Sequence, residues 1–296
     1  SDRNRSELVL VNVDGSGMRT LTHERSGVDN PQWSPDGTRI SFLASPEQGK
    51  PAQLYVMPMS GGDSLRLTTN KAGVQNYAWR PDGSALAYVS DDDSPHQKDL
   101  DRHLDAVVIT DNDYLTREQP QPAHLWLADA SGGAEARLTS GTWSVVKGSE
   151  PLWAPDGSKI YYQRQPDPLF AHWVSQTTYA YDVASKTSTD LGFGVDSDPK
   201  LSPGGSLLAV TVPRHGSLYL HNDVSVRNTS TGQEAFNSRA VDRNVHWYDW
   251  SGGALLLGTT DRISNVAWRL TGAGMAARIA LNGVGFGAGA SIAHDG

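Results

Sequence analysis

Asn30-Pro31-Gln32-Trp33-Ser34-Pro35-Asp36-Gly37-Thr38-Arg39-Ile40-Ser41-Phe42 is the stretch that decides the fold. Its centre returns as Trp79-Arg80-Pro81-Asp82-Gly83 and again as Trp153-Ala154-Pro155-Asp156-Gly157. Weaker copies stand at Leu201-Ser202-Pro203-Gly204-Gly205, at Trp250-Ser251-Gly252-Gly253 and at His294-Asp295-Gly296. A unit that recurs at this length marks a repeat architecture. Inside the unit, proline presets φ, aspartate bonds the local backbone and glycine takes positive φ, which together make a tight turn. Arg39 to Ala44 follows with alternating apolar and polar residues, a strand pattern. Gln53 to Met59 reads as a third strand, Ser60-Gly61-Gly62-Asp63 as a hairpin turn, and Leu65 to Thr68 as a short fourth strand. Four antiparallel strands in roughly 45 residues make one propeller blade.

The same order predicts an all-β chain, a β-propeller of four-stranded antiparallel blades spanning 1–296 as one domain. Whole blades are expected at 30–70, 74–140, 148–192, 196–238 and 243–282. Residues 6–22 read as the last two strands of a partial blade, and 288–296 as the start of another. Five whole blades and two partial ones suggest a seven-bladed ring in the full protein, with more chain expected on both sides. A six-bladed ring, in which the C-terminal strand joins the N-terminal pair, is the alternative. Trp33, Trp79 and Trp153 occupy equivalent places in the repeat and are expected to pack between blades.

Composition narrows the function. The chain carries 33 acidic and 25 basic residues, a net charge of −8. No basic cluster interrupts the sequence, so the phosphate neutralisation that drives nucleic-acid binding has no footprint. Cysteine is absent, which removes disulfides, thiolate metal sites and cysteine nucleophiles. No apolar run approaches the roughly 18 residues of a membrane span. The compartment stays open between bacterial periplasm and cytoplasm.

Catalytic strings are absent. There is no Gly-x-Ser-x-Gly to present a serine nucleophile, and Gly15-Ser16-Gly17 falls in a hairpin turn in register with the other blades. The nine histidines are scattered and form no His-Glu-x-x-His. Asp111-Asn112-Asp113 opens like a calcium loop, but Thr116 and Pro122 stand where the loop needs glycine and glutamate. The run Gly283 to Gly289 lacks dinucleotide spacing and reads as tight passage between blades. Neither a catalytic residue, nor a metal, nor a cofactor is expected.

One interval breaks the metre. Gly37 to Gly83 is 46 residues and Gly157 to Gly205 is 48, but Gly83 to Gly157 is 74. The excess lies between the second and third strands of the second whole blade, from Asp91 to Ala123; the same loop in the first is Pro46 to Ala52. It holds Asp91-Asp92-Asp93, His96, Asp99 and the apolar Ala106-Val107-Val108-Ile109, and it ends in Asp113-Tyr114-Leu115-Thr116-Arg117-Glu118. Long insertions in compact domains are usually functional loops or linkers. An interface or ligand-facing element and a solvated decoration are the two readings.

Three stretches carry a family resemblance: Asn30 to Phe42, Asp111-Asn112-Asp113-Tyr114-Leu115, and His124-Leu125-Trp126-Leu127 running on to Arg137-Leu138-Thr139-Ser140-Gly141-Thr142-Trp143-Ser144. With them the chain resembles the propeller domain of the prolyl oligopeptidase family of serine peptidases, in its acylaminoacyl- and dipeptidyl-peptidase-like bacterial branches. The resemblance implies a non-catalytic propeller that gates the access of short peptides and docks an α/β-hydrolase domain following it in the same polypeptide, where the triad resides. In the dipeptidyl branch, a Glu pair on the propeller holds the substrate's amino group; no Glu-Glu occurs here. Glu118, with Tyr114 and Asp113 beside it, is the substrate- or domain-facing candidate. Two other readings stay open: a stand-alone interaction propeller similar to the Tol-system component, and a propeller lyase or lactonase with a metal in its channel.

Overall fold

The computed structural model describes residues 6–23, 26–95, 98, 102, 120–192, 199–216, 220–262, 264–272 and 275–279. The all-β expectation holds: among the described residues the elements are short antiparallel strands with three 3-10 turns between them. The chain divides into two compact units, Ser1–Trp173 and Val174–Gly296. No helix among the described residues is long and apolar enough to cross a membrane.

The N-terminal unit begins with a two-stranded hairpin, β1 (Val9–Leu10) and β2 (Arg19–Thr20). The first four-stranded sheet is β3 (Ser26–Trp33), β4 (Arg39–Ser45), β5 (Gln53–Pro58) and β6 (Leu65–Arg66), paired in chain order. The second is β7 (Asn76–Trp79), β8 (Ala85–Asp91), β9 (Ala123–Asp129) and β10 (Glu135–Arg137). The third opens with β11 (Ser144–Val145) and β12 (Leu152–Trp153), both paired to β13 (Lys159–Gln165).

In the C-terminal unit, β14 (Thr177–Asp182) pairs β15 (Thr187–Asp190). Two four-stranded sheets follow: β16 (Lys200–Leu201) to β19 (Glu234–Asn237) through β17 (Leu207–Pro213) and β18 (Asn222–Asn228), then β20 (Val245–Ser251), β21 (Ala254–Asp261), β22 (Ser264–Thr271) and β23 (Met275–Ile279). Its core joins Val224 and Val226 to Tyr248, Trp250, Leu255 and Leu257.

Second strands are buried on both faces. Phe42, Ala44, Leu86, Ala87, Tyr88 and Val89 are fully enclosed. A strand with a sheet packed on either side reads as a continuous apolar run, as Ala85 to Val89 does; Arg39 to Ala44 is buried at Ser41 as well, whose hydroxyl is hydrogen-bonded. Leu43, Leu54 and Val56 of the first sheet share a core with Tyr77, Trp79, Leu86 and Tyr88 of the second. The hairpin adds Leu8, which packs with Val28, Ile40 and Phe42.

The turns follow one recipe. Asp36 Oδ1 accepts from Thr38 N (3.0 Å), Thr38 Oγ1 (2.8 Å) and Ser34 Oγ (2.6 Å). Asp82 takes the same bonds from Ser84, and Asp156 from Ser158. Gly37, Gly83 and Gly157 sit at φ of 68°, 69° and 69°, where a side chain is strained. The Leu-Thr pairs have a second purpose. Thr22, Thr68 and Thr139 each accept the backbone N–H of the third strand (Leu8, Leu54, Leu125) at 2.9 Å, bonds that an outer strand of two or three residues leaves unmade.

Trp33 departs from expectation. Trp79 and Trp153 are 8% and 6% exposed, but Trp33 is 50% exposed. The buried pair have a preceding four-stranded sheet to pack on. Trp33 has only the β1–β2 hairpin before it among the described residues.

Candidate functional site

Antiparallel order sorts the connections of the N-terminal unit to two ends. The Pro-Asp-Gly and Gly-Gly turns close one end; the loops between second and third strands, and between successive sheets, share the other. The long Asp91–Ala123 interval therefore opens beside residues 46–52, 67–75 and 138–150. Asp113, Tyr114, Glu118, Ala106 to Ile109 and the calcium-like Asp111-Asn112-Asp113 lie outside the described residues, as does the predicted strand at 288–296. The two sides of the loop's neck are described, and their chemistry is specific.

The neck is clasped first by backbone: Asp92 N donates to Pro122 O at 2.8 Å. Asp92 then meets Arg137 of β10, whose Nη2 donates to Oδ2 at 3.1 Å and lies 2.8 Å from Oδ1 in an ion-pair contact. Arg137 is held in turn by Nε donating to Thr139 O at 2.7 Å, with its guanidinium 5.7 Å over the Trp126 ring. Asp93 pairs with Lys71 at 3.2 Å, an exposed contact of little energetic weight.

His124 stands behind the clasp, fully buried as the second residue of β9. Its Nε2 lies 3.2 Å from Gly141 O and 3.6 Å from Asp92 Oδ2; Nδ1 is 3.4 Å from Thr139 Oγ1. A carbonyl can only accept, so Nε2 carries the proton and Nδ1 accepts from Thr139. The Trp143 ring meets the imidazole edge-on at 4.8 Å, stacks on Tyr162 at 5.9 Å and carries the Arg164 guanidinium 4.2 Å over it. Gly141 leaves room for that indole, because a Cβ there would fall 2.5 Å from Trp143 Nε1. Burial lowers the His124 pKa; nearby Asp92 opposes the shift, whereas Arg137 and Arg164 add to it. The imidazole is therefore neutral at neutral pH.

A second group adjoins the neck, where the first strands converge. Gln32 Nε2 donates to Tyr77 O at 3.0 Å and to Glu150 Oε1 at 3.2 Å, so one side chain of the first sheet reaches the second and third. Asn30 Nδ2 donates to Asn76 Oδ1 (2.8 Å), and Asn76 Nδ2 to Gly148 O (3.1 Å). Tyr77 Oη donates to Asn30 O at 2.5 Å; burial raises its pKa, keeping it a donor. Asn30 itself takes φ of 48° immediately before Pro31, in a strand whose register shifts there because proline offers no N–H. Gln75 joins the two groups: Nε2 donates to Asp91 Oδ1 at 2.5 Å, and Oε1 accepts Gly148 N at 3.2 Å.

The result is a polar surface of amides and carboxylates, laid across three sheets and abutting the neck. Sequence reading located the insertion and quoted His124, Arg137 and Gln32 only within the stretches that carry the family resemblance; it assigned a role to none of them, nor to Gln75 or Glu150. The periodic signal available was the polar residue recurring three places before each tryptophan, at Asn30, Asn76 and Glu150. Among the described residues, no three His, Asp or Glu side chains gather to hold a metal ion.

Residues 1–112 match the TolB beta propeller domain model. Over 294 residues, 90% of this chain, the sequence is 28% identical to dipeptidyl-peptidase 5 of Porphyromonas gingivalis. The chain spans 42% of that relative's length. In fold it is similar to the Pyrococcus horikoshii acylaminoacyl peptidase, with a TM-score of 0.63, 15% identity, and coverage of 93% of this chain and 41% of that one. It is likewise similar to the beta-propeller domain of the Pyrococcus furiosus Trilobed protease, with a TM-score of 0.60, 16% identity, and coverage of 93% and 76%. The chain has the β-propeller fold, and its likeness to these proteins extends along nearly its whole length.

Proposed function

We propose that this chain is the non-catalytic propeller of a serine oligopeptidase, which docks an α/β-hydrolase domain of the same polypeptide and limits entry to short peptides. One observation carries the reading: the clasped neck and the amide–carboxylate surface occupy one end of the N-terminal unit, while the other end is regular turn. Docking and substrate selection need an irregular, polar, hydrogen-bonding surface held on rigid strands. The likeness to dipeptidyl-peptidase 5 supports the peptidase assignment. Glu118, Tyr114 and Asp113 remain the proposed substrate- or domain-facing residues, because the Asp92–Arg137 clasp fixes the base of the loop that bears them.

The experiment is a comparison of the parent polypeptide with a variant in which residues 96–119 are replaced by a short Gly-Ser link. Dipeptidyl p-nitroanilide and a decapeptide are the substrates. Gating predicts that the variant hydrolyses the decapeptide relatively faster. Unchanged selectivity overturns the gating, and a parent polypeptide without serine-inhibitor-sensitive hydrolysis overturns the assignment. The 296-residue chain alone is expected to leave the p-nitroanilide intact. A stand-alone interaction propeller is the second reading, favoured by the family model over residues 1–112. It predicts a parent polypeptide with no hydrolase domain.

A further inference from the structure

One buried place recurs in the repeat and is filled differently each time. It is the third-strand residue just before the backbone N–H that a Thr or Ser hydroxyl accepts. Gln53 fills it in the first sheet, His124 in the second and Asp223 in the sheet of β16 to β19, and all three are buried. Gln53 and His124 use equivalent partners. Gln53 Oε1 accepts from Thr68 Oγ1 and Nε2 donates to Asn70 O, both at 2.8 Å. His124 Nδ1 faces Thr139 Oγ1 and Nε2 donates to Gly141 O, again the carbonyl two residues past the threonine. A neutral amide therefore suffices at this place. What an imidazole adds is a site for a proton.

A second place faces the first: the residue immediately after the second strand. Register equates Pro46 after β4, Asp92 after β8 and Arg214 after β17. Pro46 sets no charge beside Gln53. Arg214 grips Asp223 with two hydrogen bonds, Nε to Oδ2 at 3.0 Å and Nη2 to Oδ1 at 2.8 Å. Asp92 lies 3.6 Å from His124 Nε2, but its carboxylate is held by Arg137. The His124–Asp92 pair is thus the Arg214–Asp223 contact with the signs exchanged, and it lacks only the proton that would make it an ion pair.

We propose that His124 and Asp92 form a proton-operated switch: in acid the imidazolium takes Asp92 from Arg137, and the guanidinium turns out to solvent. All the parts lie in this chain, so the switch is independent of the peptidase reading. Among the described residues, the charged groups facing the imidazole are Asp92 from the neck, Arg137 from β10 and Arg164 from β13. Protonation sets a third cation beside one carboxylate. Arg164 is held over the Trp143 ring, whereas Arg137 is one-third exposed and can leave. The added proton sits on Nδ1, which then no longer accepts from Thr139. Nε2–H has Asp92 as well as Gly141 O to donate to, and the charge favours the carboxylate. Burial, opposed by Asp92 and reinforced by both arginines, lowers the His124 pKa, so the exchange falls below about pH 6.5.

The test is an NMR pH titration of the 296-residue chain that follows the His124 imidazole and the Arg137 Nε–H, the latter assigned with Arg137→Lys. The expected result is a shift of the Arg137 signal, and loss of its protection from solvent exchange, with the same midpoint as His124. His124→Gln copies the side chain of the first sheet and should leave Arg137 protected and unshifted over that range. Asp92→Asn keeps the imidazole titrating but removes what it takes, so Arg137 should no longer follow His124. An Arg137 signal unmoved while His124 titrates overturns the proposal. So does a coupled transition that survives Asp92→Asn, a test that holds even where His124→Gln does not fold. Cooperative unfolding of the whole chain before His124 titrates overturns it as well.

Discussion

The two ends of the sheets in the N-terminal unit contrast sharply. At one end a Trp-x-Pro-Asp-Gly string makes the same turn three times, with glycine φ values within a degree of one another. At the other end the loops between second and third strands differ in length, and the chain places its buried histidine, its clasped ion pair and its converging amides there. Regularity fixes strand spacing and sheet packing; irregularity is where side chains are free to meet a ligand or a second domain. The difference also separates the kinds of failure that mutations should cause: lost stability at the regular end, altered protonation or selectivity at the irregular one.

The largest expected effect tests the regular end. Trp79→Ala should cost about 3–5 kcal/mol, the range for truncating a large buried side chain. Trp33→Ala should cost less than about 1 kcal/mol, as for exposed positions. Urea titrations of both variants check this, and equal costs would break the equivalence drawn between exposure and repeat position. Next, alanine at Gly37 and at Gly157 should each cost roughly 1–3 kcal/mol for the left-handed backbone. The Gly157 variant should lose more, because its Cβ displaces the Arg80 guanidinium.

Arg137→Met moves the comparison to the irregular end. Arg137 is about one-third exposed, so the loss in stability should be modest, on the order of 1 kcal/mol after solvent screening. The diagnostic change is at His124. With the cation gone and Asp92 retained, its pKa should rise toward the ordinary value, read by NMR titration of the imidazole. Asp92→Asn should move it the other way.

The pH dependence follows in sign. His124 has a folded-state pKa below that of the unfolded chain, so the unfolded chain binds more protons between the two values. Stability from this group is complete above about pH 6.5 and is lost as pH falls to the folded value. The smallest effect belongs to the turn. Hydrogen bonds from Ser34 and Thr38 lower the Asp36 pKa to about 2. Its contribution should persist down to about pH 3.8, the ordinary value for an aspartate, and be lost between there and about pH 2. Asp36→Asn should flatten that part of an acid-unfolding curve.

The fold was legible because its information is local. Pro35, Asp36 and Gly37 make a turn whatever surrounds them, and Arg39 to Ala44 alternates as a strand must. Burial of Trp33 was not legible, because identical local sequence says nothing about whether a preceding sheet is present. The insertion was visible as a break in period, and His124 as the residue that follows it. Gln32, Gln75 and Glu150 could not be paired by reading, since Gln32 and Glu150 are 118 positions apart and meet only when the first strands converge. The candidates Asp113, Tyr114 and Glu118 lie outside the described residues, so their placement rests on the loop's neck.

Gln75 gives the neck a mechanical meaning. Its amide is used at both ends, toward Asp91 at the root of the loop and toward the Gly148 backbone before β12. A tug on the loop is therefore passed to the next sheet through this side chain, alongside the Ala123 N–H that donates to Ser144 Oγ on the other side of the neck. The same link ages badly. Hydrolysis of that amide to glutamate would set two carboxylates against each other where one hydrogen bond now holds, so slow deamidation would uncouple the loop from its neighbour while the sheets stay folded.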